Sequence, residues 1–163
     1  MGRNHYALFA AEILGKREES ACFDWSGIEL ATGSYLKAAY LPIFRSPHGI
    51  PIFTTGINRE TRDEIELALQ TETRPIFFLE TKSKTKLPGL SFLGHLDDAY
   101  QRTLSALTRH DDASASELYS ESIGISPQIG KTAWINRLTR MYEMGLIHRT
   151  KVGKGYRYSA IAV

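Results

Sequence analysis

Residues 131–158, KTAWINRLTRMYEMGLIHRTKVGKGYRY, change their repeat in mid-course. From Lys131 to Met144 the apolar residues Trp134, Leu138, Met141 and Tyr142 recur at three- and four-residue steps, the mark of an amphipathic helix, and Gly145 supplies its stop. From Ile147 the residues alternate instead. Two alternating runs meet across Gly153, Lys154 and Gly155, the pattern of a β-hairpin with a basic tip. Such a helix buries one stripe and presents the other. Rotation about Leu138 at the helical repeat puts Thr132, Ala133, Asn136, Arg140 and Glu143 on the outer side, with Arg137 on the flank.

Upstream, the run from Leu96 to His110 keeps Leu96, Tyr100, Leu104 and Leu107 on one helical face, with Asp97 and Asp98 at its positive N-terminus. SASELYSES reads as a second, short helix starting near Ser114 or Ser116, and GISPQIG as a turn. The third helix then starts at Pro127 or Gly130. Three helices followed by a basic hairpin resemble the winged helix-turn-helix superfamily. The segment ASELYSESIGISPQIGKTAWINRLTRMYEMGLIHRTKVGKGYRY is similar to its second helix, turn, recognition helix, corner at Gly145, Leu146 and Ile147, and wing. The match covers residues 96–162, with a turn about three residues longer than usual for the superfamily.

The resemblance implies double-stranded DNA as the partner. Asn pairs with adenine and Arg with guanine in a bidentate manner, so Asn136 and Arg140, one turn apart, are the leading candidates for base reading, beside Thr132, Ala133 and Arg137. Lys131, Lys151, Lys154 and Arg157 suit phosphates, which position a protein without reading sequence. The charge distribution agrees. Lys and Arg number eleven against eleven Asp and Glu in residues 1–95, two against six in 96–130 and seven against one in 131–163, giving net charges of 0, −4 and +6. The alternative is that these are solubilising charges on a winged helix that contacts protein.

The first half has a different design. MGRNHYALFAAEIL reads as a helix from Arg3 to Leu14 with Tyr6, Leu8, Phe9, Ile13 and Leu14 as its apolar positions. SACFDW, IPIFTT and PIFFLE read as short buried strands, alternating with helices at Ser34–Phe44 and after the cap Asn58. That order predicts an α/β domain, a small parallel sheet with helices on its faces, over residues 1–82. KSKTKLPGLSFLG, rich in Lys, Pro and Gly, predicts a linker over 83–95, followed by the three-helix domain with its hairpin wing at 96–163.

FDWSGIELATGSYLKAAYLPIF, residues 23–44, resembles the STAS-like family, small α/β domains with an aspartate-aromatic-Ser-Gly strand end and a serine-led helix; the resemblance covers residues 20–80. In related bacterial anti-sigma antagonist domains a serine at that helix start is phosphorylated, and the phosphate switches partner binding. Ser34 is the matching position, with Thr32 beside it, although TGS replaces the usual Asp-Ser-Ser or Asp-Thr-Ser. The resemblance therefore implies a protein partner or phosphorylation site at Thr32 and Ser34. The plainer reading is that Ser34 caps its helix. Asp24, at the strand end, reads either as a ligand group or as a loop-fixing acceptor.

Other classes find little support. At 163 residues, 42% hydrophobic and 23% charged, the chain has an ordinary globular composition, with no run of membrane-spanning length and no signal-peptide cleavage site, so a cytoplasmic protein with no membrane association is expected. His5, His48 and His95 lie far apart, Cys22 is the single cysteine and reads as a buried small hydrophobe, and no P-loop, nucleophile elbow or metal spacing is present. No catalytic residue, metal or cofactor is expected, and the chain reads as a non-enzyme. The reading that follows is a bacterial DNA-binding transcription regulator with a STAS-like sensing or docking domain, acting as a homodimer; the alternative is an adaptor of a partner-switching pathway that does not bind DNA.

Overall fold

The computed structural model describes residues 2–14, 20–45, 49–72, 74–80, 89–124 and 129–161. The chain divides into two compact units, Met1–Leu96 and Asp97–Ala162. In the first, α1 (Gly2–Leu14) leads to β1 (Ala21–Asp24). A helical stretch follows, made of α2 (Gly33–Tyr35), a π turn (Leu36–Tyr40) and α3 (Leu41–Arg45), then β2 (Ile52–Thr55), α4 (Arg59–Leu69), β3 (Ile76–Glu80) and β4 (Gly89–Leu93). The strands stand in the order β1-β2-β3-β4. The first two pairings are parallel, but β3–β4 is antiparallel.

This corrects two expectations. The sheet is mixed rather than parallel, and its helices pack on one face rather than on both. Successive strands step in one direction across the sheet, and right-handed crossovers taken in one direction leave their helices on the same side. Ile13 of α1, Leu36, Tyr40 and Ile43 of the helical stretch and Ile65 and Leu69 of α4 share one core with Ile52, Ile76, Phe78 and Leu93. The opposite face carries a row across three strands, Phe53, Phe77 and Phe92, with ring centroids 5.5 and 4.9 Å apart.

The expected linker 83–95 is also corrected, since Gly89–Leu93 is a strand; residues 81–88 lie outside the described residues. Leu93 stands opposite Ile76 and Phe92 opposite Phe77, so the short alternation in GLSFL is what the sheet uses. Lysines and a proline just upstream hide that alternation in the sequence. Cys22, read as buried, is exposed, because β1 is an edge strand whose outer-face residues lack a covering helix among the described elements. Partial desolvation of its sulfur, then the charge of Asp24, raise its pKa and keep it a thiol. Leu8 likewise turns outward, 66% exposed, while Tyr6, Phe9 and Ile13 meet the core.

Residues 33–45 run one residue further at each end than the expected Ser34–Phe44 helix, and are not regular. The Leu41 N–H bonds the Leu36 carbonyl, five residues back. Proline has no N–H, and its ring collides with the carbonyl four residues earlier in a regular helix, so the wider turn carries the chain past Pro42. The turn also seats Tyr40, wholly buried, with the rings of Phe23, Trp25 and Phe44 about its own at 5.0, 5.1 and 5.0 Å. Its phenol is hydrogen-bonded to the buried hydroxyl of Thr54, and desolvation raises its pKa far above the ordinary tyrosine range.

The second unit contains α5 (Asp98–Leu107), α6 (Ala115–Glu121), α7 (Lys131–Glu143) and the antiparallel hairpin β5 (Ile147–Val152) and β6 (Gly155–Ala160). Asp97 caps α5 by accepting from the Ala99 N–H at 2.7 Å. On α5 the buried stripe is Thr103, Ala106 and Leu107, with Leu104 and Tyr100 half-buried, a shift of one residue from the expected face. The Thr103 hydroxyl is satisfied by the Ala99 carbonyl at 2.8 Å, which lets it lie inside. Ser114 and Glu117 form a capping box on α6. Gly145, at φ 71°, closes α7: its N–H bonds the Tyr142 carbonyl and that of Leu146 the Met141 carbonyl. Ala113 pairs with Tyr158 through bonds of 2.8 and 2.9 Å, adding a single rung of strand between α5 and α6 to the hairpin.

Candidate functional site

The outer side of α7 follows from its burial. Trp134, Leu138 and Met141 face inward, and Lys131, Thr132, Asn136 and Arg140 are exposed, with Ala133 half-buried beside them. The helix opens at Lys131, capped by Gly130; the other expected start, Pro127, lies outside the described residues. Among the described residues Arg140 has only a loose pair with Glu143, at 3.8 Å and half-exposed, so its guanidinium is available. Arg137 does not join this face; it lines a cleft on the flank of α7. Lys151 and Lys154 are exposed on the hairpin, where Gly153, at φ 58°, makes the tight turn.

Arg157, the fourth candidate for phosphate contact, is engaged within the chain. Its guanidinium bonds the Asp112 carboxylate at 2.6 Å, the Asp112 carbonyl at 3.1 Å and the Glu117 carboxylate at 3.2 Å. The alternation that set Arg157 on the hairpin could not show that two acids 40 and 45 residues earlier would meet it. Glu117 is held low, to about 2, first by the Ser114 backbone and hydroxyl and then by Arg157. Arg149, in contrast, was not singled out from the sequence. Its guanidinium lies 3.9 Å from the ring centre of Tyr142 and 4.4 Å from that of Tyr156, binding hairpin to helix while keeping its charge. Its alternation with Lys151 was legible, but the stacking requires α7 to be in place.

At the C-terminal edge of β1 and β2, the loop of residues 25–32 is tied to α4 by three side chains spaced three residues apart. Asn58 accepts from the Thr61 N–H at 2.8 Å, as its cap position predicts, and donates to the carbonyls of Ile28 and Glu29 at 2.9 and 2.6 Å. Thr61 accepts from the Ala31 N–H at 3.2 Å, and Glu64 from the Gly33 N–H at 2.6 Å. Asp24 accepts from the Ser26 N–H at 2.9 Å, and hydrogen bonds from Ser26 lower its pKa, the loop-fixing role. Gly56, at φ 68°, stands against this pair, where a Cβ would collide with both.

Ser34 is not the cap of its helix. Thr32 occupies that place, accepting from the Tyr35 N–H at 3.5 Å, because the helix opens at Gly33, one residue before the serine. Ser34 is exposed, 3.1 Å from the Thr32 hydroxyl. The Glu64 carboxylate already takes the Gly33 N–H that an anion would seek. His5, near the same helix, is bonded to the Tyr35 hydroxyl at 3.0 Å, and His48 lies outside the described residues.

Among the described residues no three His, Cys, Asp or Glu side chains gather where a metal could sit, and no helix is long and apolar enough to cross a membrane. No protein-family model matches the chain, and no curated protein is found to be similar to it.

Proposed function

We propose that residues 97–162 are a winged helix-turn-helix domain that binds double-stranded DNA, with α7 as recognition helix and the β5–β6 hairpin as wing, and that the chain is a bacterial transcription regulator. The observation that carries this reading is the outer face of α7, where exposed Thr132, Asn136 and Arg140 stand opposite the buried Trp134 and Leu138. Asn136 and Arg140 have the chemistry to read adenine and guanine, and Lys131, Lys151, Lys154 and the stacked Arg149 that to meet phosphates. The order helix, single rung, helix, helix, hairpin supports it too, since such a helix enters a major groove while the hairpin lies against the backbone. The first unit is then a STAS-like sensing or docking domain, with Thr32 and Ser34 as its proposed partner or phosphorylation site. A symmetric homodimer on an inverted repeat completes the reading, because one helix covers only a half-site; a monomer by light scattering, bound as one copy per site, would count against it.

The second reading is a protein-interaction adaptor. It is favoured by Ile135 on α7 and Val152 and Tyr156 on the hairpin, apolar side chains 43%, 54% and 44% exposed beside the basic groups. Binding to random-sequence duplex over a range of salt separates the two. About four phosphate contacts give a slope of log K against log salt of roughly −3.6 per protomer. Absence of salt-dependent duplex binding returns the chain to the adaptor reading.

A further inference from the structure

We propose that the cleft bounded by α5, the end of α6 and the flank of α7 binds a small amphipathic carboxylate, an aromatic or aliphatic acid. The cavity holds about 670 Å³, the size of a small-molecule site, and its floor is apolar, formed by Ala106, Leu118, Ile129 and Trp134. The Trp134 indole N–H donates to the Ser122 hydroxyl at 3.2 Å, so the ring is fixed as a flat wall.

The guanidinium donors at the rim select the ligand. Arg102 is on the exposed stripe of α5, Arg109 lies in the turn just beyond that helix, and Arg137 follows Trp134 by three residues on α7. No hydrogen-bond or ion-pair partner of these three guanidiniums is found among the described residues, although all three line the cleft. Two of the acids beside them are engaged: Asp97 caps α5, and Glu121 bonds His110 at 3.0 Å. The cleft is thus lined by three guanidiniums and three carboxylates, but among the described residues the three guanidiniums have open hydrogen-bond donors while the Asp97 and Glu121 oxygens are already bonded. A guanidinium takes a carboxylate in a bidentate manner, and the apolar floor takes the rest of the molecule. Around α7, Arg137 lies about 60° from both Trp134 and Arg140 and about 100° from Asn136, on the flank between the buried stripe and the outer face, so an occupant held on the Trp134 side leaves Asn136 open.

The test needs no DNA, so its outcome is separate from that of the DNA reading. The full chain is titrated with 2-naphthoate and with its neutral analogue 2-naphthamide, followed by the Trp134 indole N–H and the backbone amides in proton–nitrogen correlation spectra. The expected result is saturable movement of Trp134, Ser105, Leu118 and Ser122 with naphthoate, and at least tenfold weaker binding of naphthamide, the scale set by a charge-assisted hydrogen bond. The triple variant Arg102→Gln, Arg109→Gln, Arg137→Gln, shown by its spectrum to be folded, is expected to lose the preference for the acid. Should it not fold, the three single variants serve, and at least one must weaken naphthoate alone. No movement of Trp134 at millimolar naphthoate, equal affinity for acid and amide, or an acid preference unchanged in the arginine variants would overturn the proposal.

Discussion

At the scale of the residue, Thr32 and Ser34 differ in role although both are hydroxyl side chains beside Gly33. Thr32 is the cap, so Thr32→Ala is expected to lower stability by about 0.5–1 kcal/mol, while Ser34→Ala, removing an exposed hydroxyl inside the first turn, changes it by less than about 0.5 kcal/mol. Urea denaturation of the two variants measures this, and an equal loss would return the cap to Ser34. Glu117 gives a second prediction. Its carboxyl sits near 2 in the folded chain against 4.5 ordinarily, so the unfolded chain binds more protons across that interval. The stabilisation is complete above about pH 4.5 and is lost as the pH falls towards 2. Melting temperatures across that range should drop less steeply in Glu117→Gln than in the native chain; parallel curves would show that the Ser114 and Arg157 bonds do not hold the charge.

At the scale of the element, α7 was legible because its period, its glycine stop and its outer polar residues all lie within fifteen positions. Arg140→Ala is expected to weaken binding to a selected operator by about 1–3 kcal/mol and to relax preference at one base position, whereas Lys154→Ala weakens all duplexes alike. Binding of each variant to operator and to random duplex checks the assignment; equal losses on both DNAs for both variants would refute it. Arg157→Gln should lower thermal stability and leave the slope against salt unchanged, since its charge is held by Asp112 and Glu117. The strand β4 was illegible for the opposite reason. Its five residues show a strand only once β3 supplies the partner, and local composition there favours a loop. The π turn was half legible: a proline at position 42 forbids a regular helix there, but does not show that the helix widens and continues to Arg45.

At the scale of the whole molecule, each unit carries its own buried residues, so the separate fragment 95–163 is expected to fold and to bind random duplex within about threefold of the full chain, a difference below about 0.7 kcal/mol. Circular dichroism and a binding titration measure both, and a folded fragment without duplex affinity would assign the binding to residues outside it. The sequence by itself determined the alternation of helices and strands up to β3, the cap at Asn58, the acids at the start of α5, the stop at Gly145 and the exposed face of α7; the choice of Ser114 over Ser116 as cap came from the structure. Each feature so determined depends on residues within a turn or two, or on a period that survives without partners. Only the tertiary structure decided that the helices share one face of a mixed sheet, that Glu64 fills the helix mouth beside Ser34, that Arg157 is tethered and Arg149 stacked, and that three arginines rim one cleft. Those facts depend on groups brought together from distant parts of the chain, where no local period records which side chains will meet.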